Sequence, residues 1–133
     1  LQKHNLPLDE ELLIECNLTI ADGREKMMQL LALKNRPDAV YVAGDYAALG
    51  AQQVLNEQKI NMPNEIALVG FGNEPFTSMV SPSISSVNQH NEKIGKLAAE
   101  TFLSYVKKEE VEQSLNKIIL NAELIVRDSS KIK

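Results

Sequence analysis

Two short apolar runs, Ala39–Ala43 (AVYVA) and Ile66–Phe71 (IALVGF), each lead straight into a glycine-bearing turn, with one helix-patterned stretch between them. Ile66–Phe71 shows no alternation of polar and apolar residues, as expected of a strand covered on both faces. Between the runs, Ala48, Ala51 and Leu55 follow helical spacing, and Met62-Pro63-Asn64 supplies the turn back. A strand, a crossover helix and a second strand in this order make a parallel pair. In an open sheet of that kind, ligands collect at the carboxyl ends of the strands.

The same alternation extends in both directions. Leu12–Cys16 (LLIEC) reads as an earlier strand. Thr19 and Asp22 form a capping-box-like pair opening a helix, with Met27, Leu30 and Leu31 on one face. That helix ends near Asn35-Arg36-Pro37, because a proline disfavours helix in the residue before it. Ser85–Gln89 is a further short strand. Ile94, Leu97, Ala98, Thr101, Phe102 and Tyr105 keep the rhythm of an amphipathic helix, and Lys117–Arg127 closes the chain as one or two strands. The expected fold is α/β: three layers, with a mostly parallel, doubly wound sheet.

Composition narrows the functions. A net charge of −4 argues against these 133 residues gripping a phosphate backbone by themselves. Lys107 and Lys108 run directly into Glu109, Glu110 and Glu112, a solvated mixed cluster rather than a basic patch. No apolar run approaches the ~20 residues of a membrane helix. The lone Cys16 forms no internal disulfide, which fits a cytoplasmic location. Leu1–Asn5 lacks an initiator methionine and reads as the tail of a helix, so a piece of a longer chain is expected.

No catalytic set assembles from the sequence. Two histidines and one cysteine lie scattered, so neither a metal site nor a cofactor is expected. His4 and His90 read as surface or helix-end residues and Cys16 as an inert thiol in an apolar strand. Gly70-Phe71-Gly72 begins a dinucleotide fingerprint, but Pro75 occupies the third glycine position. Asp45 reads first as the N-cap of the helix after Gly44, and second as a carboxylate at the mouth of a crevice. Gln89, at a strand end on the same rim, is either a surface amide or a ligand contact. Met79 and Val80, just before Ser81-Pro82, read equally as core or as interface.

Five segments carry a resemblance: RPDAVYVAGDYAALGA, MPNEIALVGFGNEPF, SPSISSVNQ, IGKLAAE and ELIVRDSS. In this order and spacing they resemble the lactose/galactose-repressor family of bacterial transcription regulators, in the C-terminal part of a sensor that looks like a periplasmic binding protein of type I. The resemblance implies a cytoplasmic dimer that binds operator DNA through an N-terminal helix-turn-helix absent here, and a two-lobed clamp that closes on a small, carbohydrate-like effector. Residues 1–90 would form the C-terminal lobe, 91–116 a helix and loop packed on the other lobe, and 117–133 the strands crossing between lobes.

Family ligand contacts fall on Leu18, Gly44, Asp45, Gly72, Asn73 and Gln89. Leu18 stands where relatives carry a stacking ring, Gly44 where an Asn is common, and Gly72 where the first acid of a GFDD-type turn binds sugar hydroxyls. Asn73 offers an amide beside it. Losing these handles implies an effector other than a simple neutral hexose, larger and held in part by backbone N–H groups. Leu49, Met79 and Val80 fall on the family's dimer surface. Two other readings share features of this pattern: a periplasmic solute-binding protein of a transporter, and a small α/β enzyme.

Overall fold

The computed structural model describes Pro7, residues 9–107 and residues 117–131. The readings of Leu1–Asn5 with His4, and of the charged segment from Lys108 to residue 116, lie outside the described residues. Among the described residues, three α-helices and four strands follow in the order α1 (Ile20–Leu31), β1 (Ala39–Tyr41), α2 (Asp45–Glu57), β2 (Ala67–Phe71), β3 (Ser85–Asn88), α3 (Asn91–Val106) and β4 (Glu123–Ile125). Short 3-10 turns lie at Glu10–Leu12 and Pro75–Ser78.

The sheet order is β1-β2-β3-β4. Val40 sits opposite Leu68 and Gly70 opposite Ser86, both in parallel register, while β4 runs antiparallel with Val87 opposite Leu124. The mostly parallel α/β sheet is therefore as expected. Its connections explain the arrangement: α2 carries the chain back so that β2 can start again beside β1.

Thr19 does cap α1, accepting the Asp22 N–H at 3.2 Å. The Asp22 carboxylate reaches back to the N–H of Asn17 rather than to that of Thr19, so the reciprocal bond of a true capping box is displaced by two residues. Helices α1 and α2 pack on each other and cover the sheet with Met27, Leu30, Ala51, Val54 and Leu55, which meet Ile66 and Leu68 in one apolar core. Arg24 joins the two helices from outside, donating to both carboxylate oxygens of Glu57 at 2.8 and 2.7 Å.

One expected strand is absent. Leu12–Cys16 forms no ladder with β1: Asp9 caps a 3-10 turn by accepting the Glu11 N–H at 3.0 Å, and residues 13–19 carry no regular structure. Only Ile14 in that run is β-branched, so local capping outcompetes pairing with a three-residue edge. A hollow of about 390 Å³, lined by Ile14, Cys16, Leu18, Met27, Val40 and Val42, lies between this segment and the sheet. Of Lys117–Arg127, only Glu123–Ile125 pairs as strand.

α3 stands apart from the core. None of its residues is buried, and Phe102 and Tyr105 are 66% and 61% exposed.

Candidate functional site

Because β1, β2 and β3 are parallel, their carboxyl ends share one edge of the sheet. Val42 N–H donates to the Val69 carbonyl at 2.8 Å and Gly72 N–H to the Val87 carbonyl at 2.9 Å, holding the three tips level. The turns beyond them gather around a single buried carboxylate, Asp45, which is 2% exposed.

Asp45 is not the N-cap. Gly44 holds that position, and Asp45 is the first helical residue, with its carboxylate turned across the top of the sheet. Oδ1 accepts the Ser86 hydroxyl at 2.7 Å, and Oδ2 accepts the Glu74 N–H at 2.7 Å. Two well-placed donors in a dry environment outcompete the free amides of the helix's own first turn. Ser86 Oγ in turn accepts the Asn73 N–H at 3.0 Å. One carboxylate thus ties the start of α2 to the turn after β2 and to β3.

That tie dictates the glycines of the turn. A Cβ on Gly70 would lie 2.2 Å from Asp45 Oδ1, so any side chain there must displace the carboxylate. Gly72 has φ +128°, a region that L-residues rarely enter. Asn73 follows with φ 57°, a left-handed conformation that Asn tolerates better than most.

Leu18 (φ 63°) lies over Gly44, its Cβ 3.4 Å from where a Gly44 Cβ would stand. Leu18, Gly44, Asp45, Gly72 and Asn73 therefore form one continuous group. Gln89 lies just past β3, two residues beyond the Val87 that holds Gly72. It lines a separate apolar hollow of about 550 Å³ with Phe71, Ile94, Leu97, Leu120 and Ala122. His90 adopts φ 59° as the N-cap of α3, its N–H donating to Asn88 Oδ1 at 2.9 Å.

Arg127 and Ser86 were not singled out from the sequence. Arg127 reaches from the end of β4 into the turn after β2, where Nη2 donates to Asn73 Oδ1 at 2.7 Å and Nη1 to the Ile84 carbonyl at 2.7 Å. The available signal was an arginine closing an apolar strand run, a position where a cation needs buried acceptors.

The interface candidates lie together on another face. Tyr46 stacks obliquely on Phe76, with centroids 5.1 Å apart. Gln52 Nε2 donates to the Pro82 carbonyl, and Asn56 Nδ2 to that of Ser81 at 3.3 Å. One face of α2 thus follows residues 76–82, and Leu49 sits on it one turn beyond Tyr46. Met79 is 78% exposed, and Val80 and Leu49 are half-buried.

Cys16 lies outside any regular strand. Burial raises its thiol above the ordinary value, and the Leu18 N–H donates to its Sγ at 3.4 Å. A protonated thiol is a poor nucleophile. Among the described residues, no group of three or more His, Cys, Asp or Glu gathers as a metal site, and no helix is long and apolar enough to cross a membrane.

Comparison with known proteins agrees with this architecture. Residues 1–130 match the model of the periplasmic binding protein-like domain. The probable HTH-type transcriptional repressor ExuR of Bacillus subtilis (strain 168) is 33% identical over 127 residues, spanning 96% of this chain and 38% of the repressor. The complex of the transcriptional regulator CelR with cellobiose superposes with a TM-score of 0.87 at 28% identity, over 97% of this chain and 39% of CelR. A LacI family regulator from Lactobacillus casei with bound sucrose gives 0.85 at 25% identity, over 97% of this chain and 47% of that one. This chain spans less than half the length of each. Its relatives are repressors of transcription rather than enzymes, in keeping with the resemblance to lactose/galactose repressors. The chain belongs to the periplasmic binding protein-like domain family.

Proposed function

We propose that this chain is the effector-sensing and dimerisation part of a DNA-binding transcription regulator, and that its effector is a sugar-like metabolite. The observation that carries the reading is the shared edge of β1, β2 and β3, where Leu18, Gly44, Gly72 and Asn73 gather around the buried Asp45. Gln89 contributes from the α3 side. Similar regulators hold cellobiose and sucrose, which supports a carbohydrate ligand. Asp45 serves as organiser rather than as direct contact, because both its oxygens are already engaged inside the protein.

The exposed apolar face of α3 fits residues 91–106 packing on a second lobe, with the effector clamped between the two. Binding acts on DNA affinity only to the extent that the effector favours one lobe arrangement, a coupling of about 1–3 kcal/mol in typical cases. Operator DNA would be held by a domain outside these residues, in a dimer joined through Leu49, Met79 and Val80.

The test uses the full-length protein carrying these residues. DNA retained from a random duplex pool should be two-fold symmetric, and a sugar that raises the melting temperature should change the affinity for that DNA. Sugars that bind without altering DNA affinity would overturn the regulator reading. A panel of mono- and disaccharides with no thermal shift would overturn the sugar reading.

A further inference from the structure

Arg127 lies just after β4, and its guanidinium is anchored before it reaches the rim. Nη1 donates to the Ile84 carbonyl at 2.7 Å and to the Thr77 hydroxyl at 3.2 Å, and both of those residues are fully buried. Nη2 extends from this anchor to Asn73 Oδ1 at 2.7 Å, across 54 residues of sequence. A planar guanidinium presents its donors in a rigid fork, so fixing one nitrogen fixes the direction of the other.

The bond to Asn73 adds nothing that the backbone lacks. The turn after β2 is already held by the Glu74 N–H on Asp45 Oδ2 at 2.7 Å and by the Asn73 N–H on Ser86 Oγ at 3.0 Å. The segment after β4 is already held by the Arg127 N–H on Ser85 Oγ at 2.7 Å and by Ser129, whose hydroxyl bridges Leu68 and Ser85. What Nη2 controls is the Asn73 side chain, which is only half-buried. Released, that side chain would turn freely, since the amide torsion of Asn is broad. Captured, it keeps one orientation, with its oxygen facing the arginine because a guanidinium only donates.

We propose that Arg127 is a positioning residue for the effector: it fixes the Asn73 side chain, so the rim meets its ligand with that contact already ordered. Ordering a side chain at the moment of binding costs affinity, and a side chain held beforehand avoids the cost. A residue from the segment after β4 therefore serves the effector site without touching the effector. The inference rests on the sugar-effector reading above, in which Asn73 meets the ligand.

Isothermal titration of the full-length protein with glucose, galactose, sucrose and cellobiose identifies a binding probe, and a double-mutant cycle with that sugar tests the inference. Arg127→Gln should weaken its binding about fivefold, the scale of ordering one side chain. Asn73→Ala should weaken it as well. Adding Arg127→Gln to Asn73→Ala should change affinity by less than about twofold, because no side chain then remains to position. A merely structural Arg127 would give the same loss in both backgrounds, and that result overturns the inference. So would an Asn73→Ala protein that binds the sugar unchanged. Arg127→Gln also takes donors from Ile84 and Thr77, so Arg127→Lys, which keeps a cation for them but loses the fork, carries the cycle if the first variant does not fold. Sugar binding with an additive cycle sinks the inference and leaves the effector reading intact. Binding of none of these sugars removes both.

Discussion

The Ser86 hydroxyl donates to Asp45 Oδ1 at 2.7 Å, joining the first turn of α2 to β3 across the tip of the intervening β2. Ser86 is fully buried and Asp45 nearly so, and the second carboxylate oxygen takes the Glu74 N–H. A buried charge is tolerable here because donors surround it. The floor of the proposed effector crevice is therefore held together by the protein's own hydrogen bonds, with Asp45 as their common member.

Asp45→Asn tests that role with little change of shape. An amide presents one donor group where the carboxylate offered only acceptors, so either Ser86 or the Glu74 N–H loses its partner. We expect a loss of about 2 kcal/mol, the scale for one charge-assisted bond replaced by an unsatisfied donor. The midpoint of urea unfolding should fall with its slope unchanged.

Gly70→Ala should be comparably costly, although alanine is the smallest addition possible. The new methyl would meet Asp45 Oδ1 at 2.2 Å and must displace it from Ser86. About 2 kcal/mol is expected, in the range for overpacking a filled interior. In combination with Asp45→Asn the loss should be less than additive, because both substitutions break the same contact.

How far the sequence could be read depended on the distance between partners. α2 was legible because Ala48, Ala51 and Leu55 mark its buried face within a few turns, and β2 because its apolar run ends at glycines. The role of Asp45 was not, since its partners lie 29 and 41 residues away. A local N-cap accounted for it well enough to hide them. Leu12–Cys16 failed for the opposite reason: apolar content suggested a strand, while Asp9, just upstream, set a competing turn. The glycines at residues 70 and 72 showed in the sequence only as the end of a strand, because the carboxylate that approaches them is supplied by another element.

Two carboxylates on the outer surface contribute to the pH dependence of stability. The Arg24 guanidinium holds Glu57 below the ordinary glutamate value, and the Asn61 N–H, with Arg36, does the same for Glu65. A depressed native value means that the unfolded chain takes up protons first on acidification. Their contribution is complete above about pH 4.3, the unfolded glutamate value, and is lost as pH falls through the lower native values. Glu57→Gln with Glu65→Gln should flatten the decline in urea midpoint between neutral and acidic pH. An unchanged slope would show that these pairs contribute nothing.

Val80→Asp addresses the proposed dimer face. Placed where residues 76–82 meet α2, an aspartate would leave an unpaired charge in the contact and weaken dimerisation by about 3 kcal/mol. Sedimentation of the full-length protein at micromolar concentration should then show the monomer. Glu25→Gln, on the exposed side of α1, serves as the matched control and should leave the mass unchanged.

Ser129 lies fully buried between the starts of β2 and β3, its hydroxyl donating to the Leu68 carbonyl at 2.6 Å and accepting the Ser85 N–H at 2.9 Å. The backbone of Leu68 is bound a second time, its N–H donating to the Ser129 carbonyl. During synthesis the ribosome must therefore add 61 residues after Leu68 before that strand gains its last partner. The middle of the sheet is thus closed by the last described stretch of the chain, far in sequence from the strands that it joins.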